Sequence, residues 1–272
     1  MNRARAPAKL NLALVVGPRR ADGTHELATV FQRLDLADEI ELVPAAGLRV
    51  EGFAEDTLVS ASLSALGEAA GVEARWRARI TKRIPVAAGL GGGSSDAATA
   101  LRLANATLDS PLPGPALARL ARSVGADVPY FLEPGPQLGR GDGSELTPLD
   151  LPQDYWVVLV LPDDVTKPST ARVYEEFDRG DGAAGFEERR GELERALAGV
   201  GRPRDLAALP QNDLASSPLA DELRRRGAFR ADVTGAGPTV YGLFEERDAA
   251  AKAARPFGSR GRLWIAQPAW YV

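Results

Sequence analysis

The sequence predicts an α+β fold in two domains, residues 1–150 and 151–272. Three observations carry this. Strand-like and helix-like periodicities interleave through the first half, Glu133–Pro152 is rich in glycine and proline, and a continuous apolar run, Trp156–Leu161, follows it. At 272 residues the chain can build one large domain or two smaller ones, and the break near residue 150 makes two the simplest reading.

The first strand is expected at Leu10–Val16, with Leu10, Leu12 and Leu14 on one face and Lys9, Asn11 and Ala13 on the other. That alternation describes a strand with one buried face, and a lysine opposite it ordinarily sits at a solvated edge. Strands follow at Glu39–Val43 and at Arg75–Lys82, the latter turning Trp76, Ala78 and Ile80 inward. A helix runs from about Asp56, a good cap, to Gly71, a good stop. Another spans Pro115–Val124, with Leu117, Leu120, Ala121 and Val124 on one stripe and Gly125 as terminator. Glu133–Pro152 reads as loops, and Trp156–Leu161 as a strand buried on both faces. Gly180–Gly185 is a turn before a charged helix at Glu187–Ala198, and Ser217-Pro218 opens a helix that Gly227 ends. Strands at Arg230–Thr234, Thr239–Phe244 and Arg262–Ala266 close the chain.

The most informative stretch is Pro85–Ala97, PVAAGLGGGSSDA, with four glycines in five positions before an alanine-rich segment. Glycines let the backbone approach a ligand and take positive φ freely. Ala97, Leu101 and Ala104 recur at helical spacing, Ser94 or Ser95 can cap this helix, and Asp96 in the first turn complements its dipole. A glycine loop feeding a helix N-terminus suits a phosphate. The loop is neither a Walker A loop, since no lysine lies between Arg83 and Asn105, nor the dinucleotide fingerprint, whose third glycine is replaced by Ser94 or Asp96.

Composition narrows the chemistry. The absence of cysteine excludes disulfides, thiolate metal sites and a cysteine nucleophile, and a single histidine, His25, excludes histidine-rich metal sites. A net charge of −4 gives no broad reason to bind nucleic acid or an anionic membrane, so any anion site is local. Arg3, Arg5 and Lys9 precede an apolar run too short for a signal peptide, and no segment approaches a membrane span. A cytoplasmic protein is expected, without nucleic-acid or membrane partners, as a monomer or weak dimer.

Asp127, in GADVPYFL between a helix stop and an apolar strand, is either a working carboxylate or a turn residue bonding its own backbone. His25 follows a basic loop, where a histidine is usually plain surface. Val233–Thr239 links two late strands either as a turn or as a second wall against a ligand.

Five segments in order, Ala6–Leu14, Asp22–Leu27, Pro85–Ala98, Gly125–Leu132 and Val233–Phe244, together resemble the GHMP kinase superfamily. Within it they resemble the branch whose acceptor is a cytidine-diphosphate methylerythritol. The resemblance implies a two-domain fold, N-terminal ribosomal-S5-domain-2-like and C-terminal ferredoxin-like, with the active site in the interdomain cleft. It implies ATP and Mg2+ as cofactors and phosphorylation of a C2 hydroxyl on the non-mevalonate isoprenoid route. Residue by residue, it makes Pro85, Val86, Ala87, Ala88, Gly89, Leu90, Gly91, Gly92, Gly93, Ser94 and Ser95 the ATP phosphate loop. It makes Asp127 the general base and Lys9 its charge partner. Asn11, His25, Tyr174, Gly235 and Gly237 would hold the acceptor, with His25 on the cytosine edge and Tyr174 stacked on the ring. The resemblance departs at Thr24, where the family usually has tyrosine. A lost base–aromatic stack is worth about 1–3 kcal/mol, which weakens acceptor binding without changing the chemistry. The resemblance admits two alternatives, a homoserine- or mevalonate-type kinase and a non-catalytic nucleotide-binding regulator of the same fold.

Overall fold

A computed structural model describes residues 2–164 and 169–270. Its first sheet has six strands and is organised by two long ones, β1 (Asn2–Arg19) and β2 (His25–Pro44), which pair antiparallel along their whole length. The other edge of β2 carries β4 (Trp76–Thr81) on one half and β5 (Gln137–Gly141) on the other. The short strands β3 (Arg49–Glu51) and β6 (Glu145–Pro148) extend the two ends. Trp76, Ala78 and Ile80 of β4 point inward as their alternation predicts.

Against this sheet lie α1 (Leu58–Ala70), α2 (Gly92–Asn105) and α3 (Gly114–Val124). Asp56 caps α1 by accepting from the Val59 and Ser60 amides, and Gly71 ends it in the left-handed conformation at φ 67°. The alanines of α2 are fully buried, so this helix lies close on the sheet and on α1. Beyond α3, residues Pro129–Leu132 form a single 3-10 turn, not the expected apolar strand.

The second sheet is four-stranded and antiparallel, in the order β10 (Gly261–Ala266), β7 (Trp156–Pro162), β9 (Val240–Phe244), β8 (Arg230–Val233). As an inner strand, β7 justifies its unbroken apolar sequence. Around this sheet come α4 (Thr170–Arg179), α5 (Phe186–Ala198), α6 (Pro218–Arg225) and α7 (Arg247–Ala254). The Ser217 hydroxyl caps α6 by accepting from Leu219 N.

Three expectations are corrected. Glu133–Pro152 is not a loop region, because β5 and β6 form a hairpin there, turned at Gly141 and Gly143, which both take positive φ. Neither Ser94 nor Ser95 caps α2, and Asp96 is not in its first turn, since the helix begins at Gly92 with left-handed Gly91 as its cap. The strand at Leu10–Val16 does not have one buried face: β1 is buried without interruption from Ala6 to Gly17.

The third correction positions the site. β1 pairs with β2 on one edge only, and the second half of the chain covers the other. Asn11 N donates to the Thr234 hydroxyl, Val16 N to the Asp213 carboxylate, and Asp213 N to Leu14 O, while the Tyr241 hydroxyl donates to Leu12 O. Side chains of β1 and β2 (Leu12, Val15, Val30) share one hydrophobic core with Val157, Leu159, Phe186, Tyr241 and Leu243. The end of the described chain also returns to the first sheet, where Asp35 N donates to Gln267 O and Ala269 N to Arg33 O.

Candidate active site

A cleft of about 680 Å³ opens between the glycine loop, β1, the β1–β2 turn, α4 and the loop after β8. Residues Pro85 to Ser94 all line it, as do Lys9, Asn11, His25, Asp127, Tyr174 and Gly235. Ser95 lies beneath the loop, fully buried, and Gly237 is absent from the lining. Gly237 acts from behind instead, its carbonyl standing against Gly89.

The glycine loop is held by backbone. Lys9 N donates to Leu90 O at 2.9 Å, which ties the loop to β1. Gly89 (φ 81°) leaves no room for a side chain, because a Cβ there would stand 2.5 Å from Thr234 O. At Gly91 (φ 69°) a Cβ would meet Lys9 Cγ at 2.9 Å and Phe131 Cζ at 3.0 Å. These two glycines therefore set both the curvature of the loop and its contact with the lysine. At the outer rim Val86 exposes an apolar side chain to the cleft.

Lys9 is buried, not at a solvated edge. Register shifts after Pro7 and after Asn11 bracket it on β1, and such bulges re-aim side chains beside sites. Its Nζ donates to Asn11 Oδ1 at 2.7 Å and lies 3.4 Å from Asp127 Oδ2. Asn11 Nδ2 donates to Thr29 Oγ1, which donates to Ala13 O, so the amide is fixed with its oxygen toward the lysine. Asp127 reaches into the cleft, and its side chain is 36% exposed. It sits ahead of the 3-10 turn whose carbonyls, at Tyr130 and Glu133, accept from the buried Arg33 guanidinium.

At the other end of the cleft the single histidine is 6% exposed, far from plain surface. Its ring stacks on Tyr174 (centroids 4.7 Å apart, planes at 26°), and Nε2 is 2.7 Å from Asp178 Oδ1. One face of Tyr174 is thus already covered by His25. Burial, then the Asp127 charge, pushes the Tyr174 phenol up to about 12.

A further group went unnoticed in the sequence. Lys82, which lines the cleft beside the loop, donates to both Asp38 and Asp96. Asp38 also accepts from the Arg83 and Ile84 amides, where the chain enters the loop. Burial, then the neighbouring Asp38, pushes the Asp96 carboxyl up to about 8. Burial alone would lower the Lys82 ammonium, but the two carboxylates outweigh it and raise it. The lysine three positions before the aspartate-containing loop was visible, but the third member lies on β2, 44 residues away.

Among the described residues no three acidic or histidine side chains gather into a metal cage, and no helix is long and apolar enough to cross a membrane. The hard oxygen donors on the cleft wall near the loop are the Asp127 carboxylate and the Ser94 hydroxyl, a set suited to a magnesium ion held mostly by phosphate oxygens.

Comparison with known proteins places this geometry in context. The family models of the GHMP kinases match at residues 57–135 (N-terminal domain) and 205–263 (C-terminal). A 4-diphosphocytidyl-2-C-methyl-D-erythritol kinase of Geobacter sulfurreducens is 39% identical, over 96% of both chains. One from Anaeromyxobacter sp. (strain Fw109-5) is 43% identical over 92% of this chain and 84% of that one. The crystal structure of a 4-(cytidine 5'-diphospho)-2C-methyl-D-erythritol kinase superposes with a TM-score of 0.78 at 33% identity, covering 98% of this chain and 99% of that one. A mevalonate kinase structure shares the fold alone, with a TM-score of 0.74 at 13% identity.

Proposed function

This chain belongs to the 4-diphosphocytidyl-2-C-methyl-D-erythritol kinases, and we propose that it performs their reaction with Lys9 and Asp127 as the catalytic pair. It is an ATP-dependent kinase of the GHMP fold. The reaction transfers the γ-phosphoryl group of ATP to the C2 hydroxyl of 4-(cytidine diphospho)-2-C-methyl-D-erythritol, giving the 2-phosphate and ADP for isoprenoid precursor synthesis. Synthesis in the cytoplasm is part of the proposal.

One observation carries the assignment of roles: a buried lysine with its Nζ 3.4 Å from a half-exposed carboxylate, at the mouth of a glycine loop. Phosphoryl transfer is mostly positioning plus charge stabilisation. Loop amides at Gly89–Ser94 cradle the phosphates, and the N-terminus of α2 adds its dipole. Asp127 Oδ1 accepts the proton of the acceptor hydroxyl as that oxygen attacks, while Oδ2 stays on Lys9. Lys9 opposes the negative charge that gathers on the transferring group. Asn11 holds Lys9 in place, so its role toward the acceptor is through that lysine. Magnesium carried on ATP would supply further charge neutralisation, and Asp127 and Ser94 are the residues whose oxygens would hold it. Gly235 closes the wall beside the loop, next to Gly89, Lys9 and Asn11, and His25 and Tyr174 receive the cytosine.

The test is purified protein with ATP, magnesium and a panel of acceptors, followed by ADP release. Turnover of the cytidine-diphosphate acceptor alone is expected. Turnover of homoserine or mevalonate in its place would overturn the acceptor, and ATP binding without turnover of any acceptor would favour a regulator.

A further inference from the structure

We infer that Asp178 sets which pyrimidine this site accepts, by fixing the protonation pattern of His25. The inference deepens the cytosine reading given above and rests on it. Nε2 of His25 lies 2.7 Å from Asp178 Oδ1. A carboxylate only accepts, so Nε2 carries the proton, and in its neutral form the ring keeps a lone pair at Nδ1. Nδ1 has no hydrogen-bond partner among the described residues, while the ring itself lines the cleft. A ring nitrogen on the cleft wall that no protein group satisfies is free to accept from a ligand seated there.

The ring cannot turn freely to exchange its nitrogens. Tyr174 covers one face at 4.7 Å, and Phe177 meets it nearly edge-on at 6.1 Å and 84°. Tyr174, Phe177 and Asp178 all belong to α4, so one helix grips the imidazole by stacking, by edge contact and by charge. Asp178 lies outside the reacting centre and acts through His25, as a positioning residue.

The consequence is a choice between bases. An acceptor at Nδ1 matches the exocyclic amino group of cytosine. Uracil presents a carbonyl at that position, setting lone pair against lone pair. Leaving such a pair unmade discriminates by about tenfold to a hundredfold. The Asp178→Asn amide can either accept from Nε2–H or donate to a bare Nε2, so it no longer dictates which nitrogen is protonated.

His25 is the only histidine, so its two ring nitrogens can be read by 15N NMR of the full-length labelled protein without assignment. A protonated Nε2 and bare Nδ1 are expected at slightly alkaline pH, with mixed forms in Asp178→Asn and the original pattern restored in Asp178→Glu. In kinetics, the native chain should prefer the cytidine- over the uridine-diphosphate acceptor by about tenfold to a hundredfold in kcat/KM. In Asp178→Asn that ratio should collapse to within about threefold, through KM for the acceptor, with KM for ATP unchanged. A native ring protonated at Nδ1 would overturn the inference, as would an Asp178→Asn enzyme that keeps its preference. If the native chain turns over neither acceptor, the function proposed above falls and this inference with it. Turnover of the cytidine acceptor with an unmoved preference in the variant overturns the inference alone.

Discussion

The two ends of the cleft are built in opposite ways. At the phosphate end, position is set by backbone: left-handed glycines, the amide of Lys9 on Leu90 O, and contacts so close at Gly89 and Gly91 that no side chain fits. At the base end, position is set by side chains, with His25 from the first sheet held by Tyr174, Phe177 and Asp178 of α4. A backbone-built site is rigid and tolerates little substitution. A side-chain-built site can be retuned one residue at a time, and this chain carries Thr24 at its rim.

The contrast can be broken most severely at the phosphate end. Asp127→Asn keeps the shape of the carboxylate but cannot take a proton, so kcat should fall by about 10²–10⁴-fold while ATP still binds. Near-normal single-turnover rates would remove it as the base. Gly91→Ala should come next, since its Cβ would stand 2.9 Å from Lys9 Cγ on a backbone at φ 69°. A loss of about 1–3 kcal/mol in stability is expected with at least a tenfold fall in kcat, measured by denaturant titration beside steady-state assay. At the base end, His25→Ala should raise KM for the acceptor about tenfold and leave KM for ATP alone. An equal rise in both would erase the division between the two ends.

Stability, more than turnover, reports on the carboxylate cluster under the loop. Because the Asp96 carboxyl is raised to about 8 in the folded protein, above its unfolded range, the folded state binds the extra proton between roughly pH 4 and 8. Stability should therefore be greatest at the acidic side of that window and decline as pH rises through it, by at most about 1.4 kcal/mol per unit. Asp96→Asn should flatten this decline, and parallel slopes in urea titrations at pH 5 and pH 8 would contradict it.

The legibility of the site follows the same division. Glycines and a helix start announce a backbone-built cradle in consecutive residues, so PVAAGLGGGSSDA could be read directly. Lys9 looked like an edge residue because alternation cannot reveal that the far half of the chain covers the second edge of β1. The pairing of His25 with Asp178 spans 153 residues, and α4, whose apolar stripe rests on Val173, Tyr174 and Phe177 in a mostly polar segment, was not expected at all. The β5–β6 hairpin was hidden by its glycines, which signal turns more strongly than its few apolar residues signal strands. Motif order supplied the joint role proposed for Lys9 and Asp127, whereas Lys82 with Asp38 and Asp96 had no such pattern to betray it.

The core shared by β1, β2, β7, β9 and α5 has a consequence for how the chain unfolds. Two sheets would suggest two melting steps. Yet Leu12, Val15 and Val30 are covered by residues from beyond position 150, so a fragment ending there would leave a broad apolar face uncovered. Calorimetry of the whole chain should accordingly give a single cooperative transition, with the halves unable to survive apart.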